Sequence, residues 1–212
     1  MPTLLCYGDS NTHGTMPMEH MNDRRRLGPE ARWPGVTAAA LGSDWRVIEE
    51  GLPSRTTLHD DAIGGIYKNG LSVLPAIMES HRPIDVVAIM LGTNDLKSRF
   101  ALTPIDIAAS ADRLVAALLT SECGPVWGTA PKVLLICPPP VKEAGCLAEI
   151  FEGGAAKGRR LGGLYAKVAQ ARGVAFLDAG EVMEVSDVDG VHFEPEGHAA
   201  LGKAVAEAVA AL

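Results

Sequence analysis

A chain of 212 residues that is 47% hydrophobic and 21% charged can bury a sizeable core, which excludes a disordered or low-complexity segment. Its formal net charge of -7 argues against a nucleic-acid partner, because Arg24-Arg25-Arg26 is the single basic cluster and Asp23 and Glu30 flank it. No apolar run reaches the roughly 18 residues of a membrane span, so no membrane partner is expected either.

Met1 leads directly into the first predicted strand, residues 3–7, without the basic and hydrophobic regions of a signal peptide. A cytoplasmic location is therefore expected. Cys6, Cys123, Cys137 and Cys146 form no C-x-x-C pair and read as reduced thiols. Residues 33–41 carry a helical pattern and residues 45–48 a second strand. A helix over 71–81 precedes the nearly continuous apolar run 84–91, the pattern of a central strand in a parallel sheet. Residues 104–121 repeat apolar positions at helical spacing, with Thr103 as N-cap and Pro104 at the first helical position. Residues 132–137 form a fourth strand, stopped by Pro138-Pro139-Pro140. A helix over 158–171, a fifth strand over 174–177 and an amphipathic helix over 197–212 close the chain. These make five βα units in one domain, 1–212, and predict an α/β fold: a three-layer α/β/α sandwich around a five-stranded parallel sheet.

In open sheets of this kind the ligand site lies beyond the carboxyl ends of the strands. Every chemical candidate falls at that edge. Ser10, in Gly8-Asp9-Ser10 after strand one, is the candidate nucleophile, and a helical turn starting there would aim free N–H groups at the site. The same residues also suit an ordinary helix cap. Asp189 and His192, after strand five, are a candidate orienting acid and general base. Asn94, in Gly92-Thr93-Asn94-Asp95 after strand three, offers an amide to a developing oxyanion, and the loop with Ser54 after strand two offers backbone N–H groups. A metal set of Asp189, His192 and His198 is the weaker reading, and no metal or organic cofactor is expected. No G-x-G-x-x-G, P-loop ending or G-x-S-x-G elbow competes.

Taken together and in this order, the motifs resemble the SGNH hydrolases, the GDSL esterase/lipase family. Gly8-Asp9-Ser10-Asn11 looks like its first block, Gly92-Thr93-Asn94-Asp95 its third and Asp189-Gly190-Val191-His192 its last, so the resemblance spans essentially the whole chain. The second block departs from the pattern, since Ser54 stands where the family has an oxyanion-hole glycine. Arg32-Trp33, Ile48-Glu49-Glu50-Gly51-Leu52, Met90-Leu91-Gly92-Thr93-Asn94-Asp95 and Ile150-Phe151-Glu152-Gly153-Gly154 are similar to the arylesterase/acyltransferase branch.

The resemblance implies the family's flavodoxin-like fold and a serine esterase for small carboxylic esters. It also implies transfer of the acyl group to water, an alcohol or hydrogen peroxide, and a homo-oligomer as large as an octamer. It gives Ser10, Asp189 and His192 as catalytic residues and Ser10, Ser54 and Asn94 as oxyanion donors. Asp9, Asn11, Thr93, Ile150, Phe151 and Val191 become the expected substrate contacts, with His13 and Thr15 near the nucleophile. Residues 15–31 read either as a lid or as a contact with a neighbouring subunit. A carbohydrate acetylesterase or thioesterase on the same scaffold is the alternative enzyme, and a binding protein with a degenerate site the alternative class.

Overall fold

The computed structural model describes all 212 residues. Five strands, β1 (Thr3–Gly8), β2 (Arg46–Gly51), β3 (Val86–Met90), β4 (Lys132–Cys137) and β5 (Ala175–Asp178), form one parallel sheet in the order β2-β1-β3-β4-β5. Period-two alternation sorts side chains to its two faces. Leu5 and Tyr7 of β1 and Val87 and Ile89 of β3 join one apolar cluster, while Leu4, Cys6, Val86, Ala88 and Met90 join the other. The first cluster is covered by α3 (Gly70–His81), α4 (Pro104–Leu119) and α6 (Leu161–Arg172). The second is covered by α2 (Trp33–Leu41) and α7 (Pro195–Ala210). Two short helices, α1 (Ser10–His13) and α5 (Gly154–Gly158), sit at the carboxyl edge and before α6. No helix is long and apolar enough to cross a membrane.

The expected sandwich is present, with shifts at element ends. β2 runs on through Glu49-Glu50-Gly51, which the sequence assigns to a loop. An edge strand is partly exposed, so its carboxylates reach solvent without breaking the ladder. The helix expected from residue 158 is two pieces, broken at Arg159-Arg160. α4 begins as predicted: Thr103 and Asp106 form a reciprocal capping box and Pro104 takes the first position. α7 starts two residues early, again on a proline.

Strand order fixes where a site can form. Chain direction reverses across the sheet between β1 and β3, so the connections leaving these strands part and open a crevice at their carboxyl ends. Gly8 at the end of β1 is in register with Gly51 of β2 and Met90 of β3. The three loops that follow therefore start side by side.

Candidate active site

Asp9 ends the strand and caps the next turn. Its Oδ1 accepts the Asn11 N–H at 2.9 Å, and α1 begins with Ser10 at its first position. Only glycine fits before it: a Cβ on Gly8 would stand 2.0 Å from Thr12 Oγ1 and 2.9 Å from the Met90 carbonyl. The turn carries Ser10 to the cavity edge, 5% exposed.

The last loop delivers the base. Gly190, at φ +73°, turns the chain so that Asp189 and His192 face one another. A side chain there would strike the Lys142 carbonyl at 2.0 Å. His192 Nδ1 lies 2.6 Å from Asp189 Oδ2, and His192 Nε2 lies 3.0 Å from Ser10 Oγ. A carboxylate can only accept, so Nδ1 carries the ring proton and Nε2 turns its lone pair to the serine hydroxyl. Asp189 is fully buried and saturated with donors. Oδ1 accepts the N–H groups of Val191 and His192 at 2.9 Å each, and Oδ2 also accepts the Met18 N–H at 2.7 Å. Burial pushes the Asp189 carboxyl up, but the bonds and charge of His192 and the N–H groups of His192 and Met18 outweigh it and hold the carboxyl below its ordinary range. Asn11 ties the two ends of the chain together, its Nδ2 donating to the Val191 carbonyl at 3.1 Å.

The middle loops bring the remaining donors. Ser54 adopts φ +67°, the left-handed region where glycine is the usual residue. It therefore holds a glycine's backbone conformation at the position where the family pattern has glycine. Asn94 Nδ2 donates to the Arg55 carbonyl at 3.1 Å and to Asp9 Oδ2 at 3.3 Å. The next residue repeats the link, since Asp95 accepts both the N–H and the hydroxyl of Thr57. Arg55 clamps this loop to the sheet: Nη1 donates to the carbonyls of Gly8, at 2.8 Å, and Glu50, and the guanidinium lies 4.1 Å from the Tyr7 ring centre.

Ser10, Ser54, Asn94 and His192 line one cavity of about 570 Å³. Ile150, Phe151 and Val191 line it as expected, as do His13 and Thr15, which contact each other at 3.2 Å. Burial, with the charges of Arg26, Arg32 and Lys68, lowers His13 to about 4, so it faces the cavity as a neutral ring. Asp9, Asn11 and Thr93 do not line the cavity. They stand behind its wall, buried at 1%, 1% and 3%, because the bonds that brace the turn point their side chains inward. His198, grouped with Asp189 and His192 in the metal reading, accepts the Trp33 N–H at its Nδ1, at 3.2 Å.

Residues 15–31 fold into the wall. Thr15 bridges to Arg26, Met18, Met21 and Asp23 line the cavity, and the Met18 N–H holds Asp189. Three contributions escape sequence reading. The Met18 N–H carries no side-chain signal, and Arg55 and Lys97 belong to no motif.

Asp9 carries a cost that its position explains. Burial pushes its carboxyl up to about 6, against the Asn11 N–H, the charges of His192 and Lys97 and the Thr93 hydroxyl, which act downward. A carboxyl raised in the fold binds its proton more tightly there than in the unfolded chain, where it titrates near about 4. The stability this confers is complete below the unfolded value and is lost as pH rises through the folded one. At neutral pH the ionised Asp9 therefore destabilises the fold, by at most about 3 kcal/mol. Asp9→Asn removes the titrating carboxyl, so the loss of Tm as pH rises through about 6 should be smaller than in the wild type. It should also lower kcat about tenfold or more, because the new amide meets the Asn94 amide donor to donor. Calorimetry and steady-state kinetics check both, and an unchanged kcat would contradict the bracing role.

A serine, a histidine and a buried aspartate in hydrogen-bonded series, at the edge of a cavity, are the arrangement of a serine hydrolase. The model of the GDSL-like lipase/acylhydrolase family matches residues 6–200, and the chain belongs to that family. Similar solved structures include the native aryl esterase of M. smegmatis, at 44% identity, with 100% of each chain covered and a TM-score of 0.95. Est24, a carbohydrate acetylesterase from Sinorhizobium meliloti, is 41% identical over 100% of this chain and 99% of its own, also at 0.95. A carbohydrate acetylesterase family member from the same organism is 36% identical over 99% and 97%, at 0.90. No curated protein matches the chain.

Proposed function

We propose that the protein hydrolyses small carboxylic esters through an acyl-enzyme on Ser10 and passes the acyl group to alcohols or hydrogen peroxide as well as to water. The observation that carries this reading is the continuous series Asp189 Oδ2, His192 Nδ1, His192 Nε2 and Ser10 Oγ, with steps of 2.6 and 3.0 Å. His192 takes the Ser10 proton as Oγ attacks the ester carbonyl, then delivers it to the leaving alcohol. The oxyanion is held by the N–H groups of Ser10 and Ser54, with Asn94 turning one amide hydrogen from its longer contact, 3.3 Å to Asp9, toward the new charge. Water or a second alcohol, activated by His192, then attacks the acyl carbonyl and releases Ser10.

Small aryl or alkyl esters fit a cavity of this size. The two S. meliloti relatives favour acetylated sugars as a second reading. Partitioning tests the shared intermediate. Phenyl acetate and 4-nitrophenyl acetate, each in water with added methanol, should give one ratio of methyl acetate to acetate. A ratio that follows the leaving group would overturn the acyl-enzyme, and absence of methyl acetate would overturn alcohol transfer.

Self-association belongs to the same proposal. Met21 (49% exposed) and Ile63 (79%) line the cavity, with Ile66 and Tyr67 exposed close to Ile63 in the chain, an apolar set that a neighbouring subunit would cover. Light scattering at micromolar concentration should report an oligomer as large as an octamer, and a monomer would remove this part. The four free thiols are in keeping with a reducing compartment and support a cytoplasmic location.

A further inference from the structure

Two unlike sets of side chains line the cavity. Leu147, Ile150, Phe151 and Val191 are apolar. Arg24, Arg25, Lys68, Lys97 and Arg99 are cationic, with Asp23 the one carboxylate beside them, in a chain whose net charge is -7. Two of these cations are satisfied within the protein: Arg25 pairs with Asp23 at 2.6 Å and Arg99 with Asp61 at 2.9 Å. Arg24 donates to carbonyl oxygens, and Lys68 Nζ lies 4.9 Å from the Tyr67 ring centre.

Lys97 is different. It is 6% exposed, yet its Nζ makes no hydrogen bond and no ion pair. Charged side chains this buried are ordinarily paired. The carboxylates whose charge reaches it, Asp61, Asp9 and Asp95, are bonded elsewhere: Asp61 to Arg99 and the Ile63 and Gly64 N–H groups, Asp9 to Asn11 and Asn94, and Asp95 to Thr57. Burial, reinforced by the charge of Arg99, lowers the Lys97 ammonium to about 8 against the opposing charges of Asp61, Asp9 and Asp95, so it remains largely charged at neutral pH with no carboxylate in direct contact. Its backbone N–H donates to the Asn94 carbonyl, which fixes it one turn from the oxyanion amide.

We infer that Lys97 is the binding site for a carboxylate on the substrate, so that the preferred esters are anionic: one arm rests on the apolar side chains and the other carries its charge to Lys97. This rests on Ser10 being the nucleophile in the same cavity. A charge-assisted bond in a partly closed site is worth about tenfold or more in kcat/KM.

Two matched pairs of esters test this and place the carboxylate. For the acyl arm, 4-nitrophenyl hemisuccinate is compared with its methyl ester. For the alcohol arm, 4-acetoxybenzoate is compared with 4-acetoxybenzamide. In each pair the anionic-to-neutral ratio of kcat/KM is measured for the wild type, Lys97→Met and Lys97→Arg, so intrinsic reactivity cancels. The ratio should fall about tenfold or more in Lys97→Met for one pair, and Lys97→Arg should retain most of it. A ratio unchanged in both pairs overturns the inference. Should Lys97→Met not fold, the wild type still decides: added NaCl should depress kcat/KM for the favoured anionic ester and spare its neutral partner, and an equal response overturns the inference. Ser10→Ala separates the two levels. If it stays active the nucleophile assignment fails, whereas an inactive Ser10→Ala beside an unchanged ratio removes only the role of Lys97.

Discussion

Ser10→Ala should lower kcat for aryl acetates by about 10⁴-fold or more while leaving the protein folded. The substitution removes one oxygen, at the first position of α1, and the turn does not depend on it. The cap is made by Asp9, the close approach by Gly8, and the tie to the last loop by Asn11. What is lost is the single group that His192 Nε2 faces at 3.0 Å. Residual turnover would come from water placed near the oxyanion donors. Far-ultraviolet circular dichroism and Tm should match the wild type, and substantial activity in the folded variant would mean that another group attacks the ester.

Asp189→Asn should be nearly as severe, with a fall in kcat of about 10⁴-fold. The four donors around this carboxylate leave an amide no good orientation. If the oxygen keeps Val191 and His192 N–H, the new NH₂ faces the Met18 N–H and His192 Nδ1. The ring must then accept at Nδ1 and carry its proton on Nε2, pointed at Ser10, which is the wrong tautomer for a base. The reverse orientation sets NH₂ against two backbone N–H groups. Either way a buried donor loses its partner, which costs about 1–3 kcal/mol of stability. A lowered Tm together with the rate loss is therefore expected. Full activity would show that Asp189 neither orients nor stabilises the ring.

How much of this was legible depends on what each residue does. Strands with uninterrupted apolar runs, such as Val86–Met90, announce themselves because both faces are buried. Arg46–Gly51 does not, because an edge strand tolerates Glu49 and Glu50. The candidate catalytic side chains were readable because their chemistry restricts the residue type: Ser10, His192 and Asp189 come together across more than 170 positions as their motif order implied. Ser54 broke the family pattern in sequence but not in backbone, since its positive φ keeps a glycine's conformation. Supporting contacts were the unreadable part. The Met18 N–H on Asp189 and the Arg55 clamp on the Gly8 and Glu50 carbonyls depend on tertiary approach alone. For the same reason Asp9, Asn11 and Thr93 were expected to touch substrate when they brace the wall behind it.

The central claim is that Ser10 is activated by His192 and attacks the ester carbonyl. A fluorophosphonate probe tests it most directly, because the probe forms its bond only with an activated nucleophile and the product survives mass analysis. Intact wild-type protein should gain one adduct, peptide mapping should place it on Ser10, and Ser10→Ala and Asp189→Asn should fail to label at the same rate. An adduct on any other residue, or a wild-type protein that resists the probe while hydrolysing esters, would contradict the account.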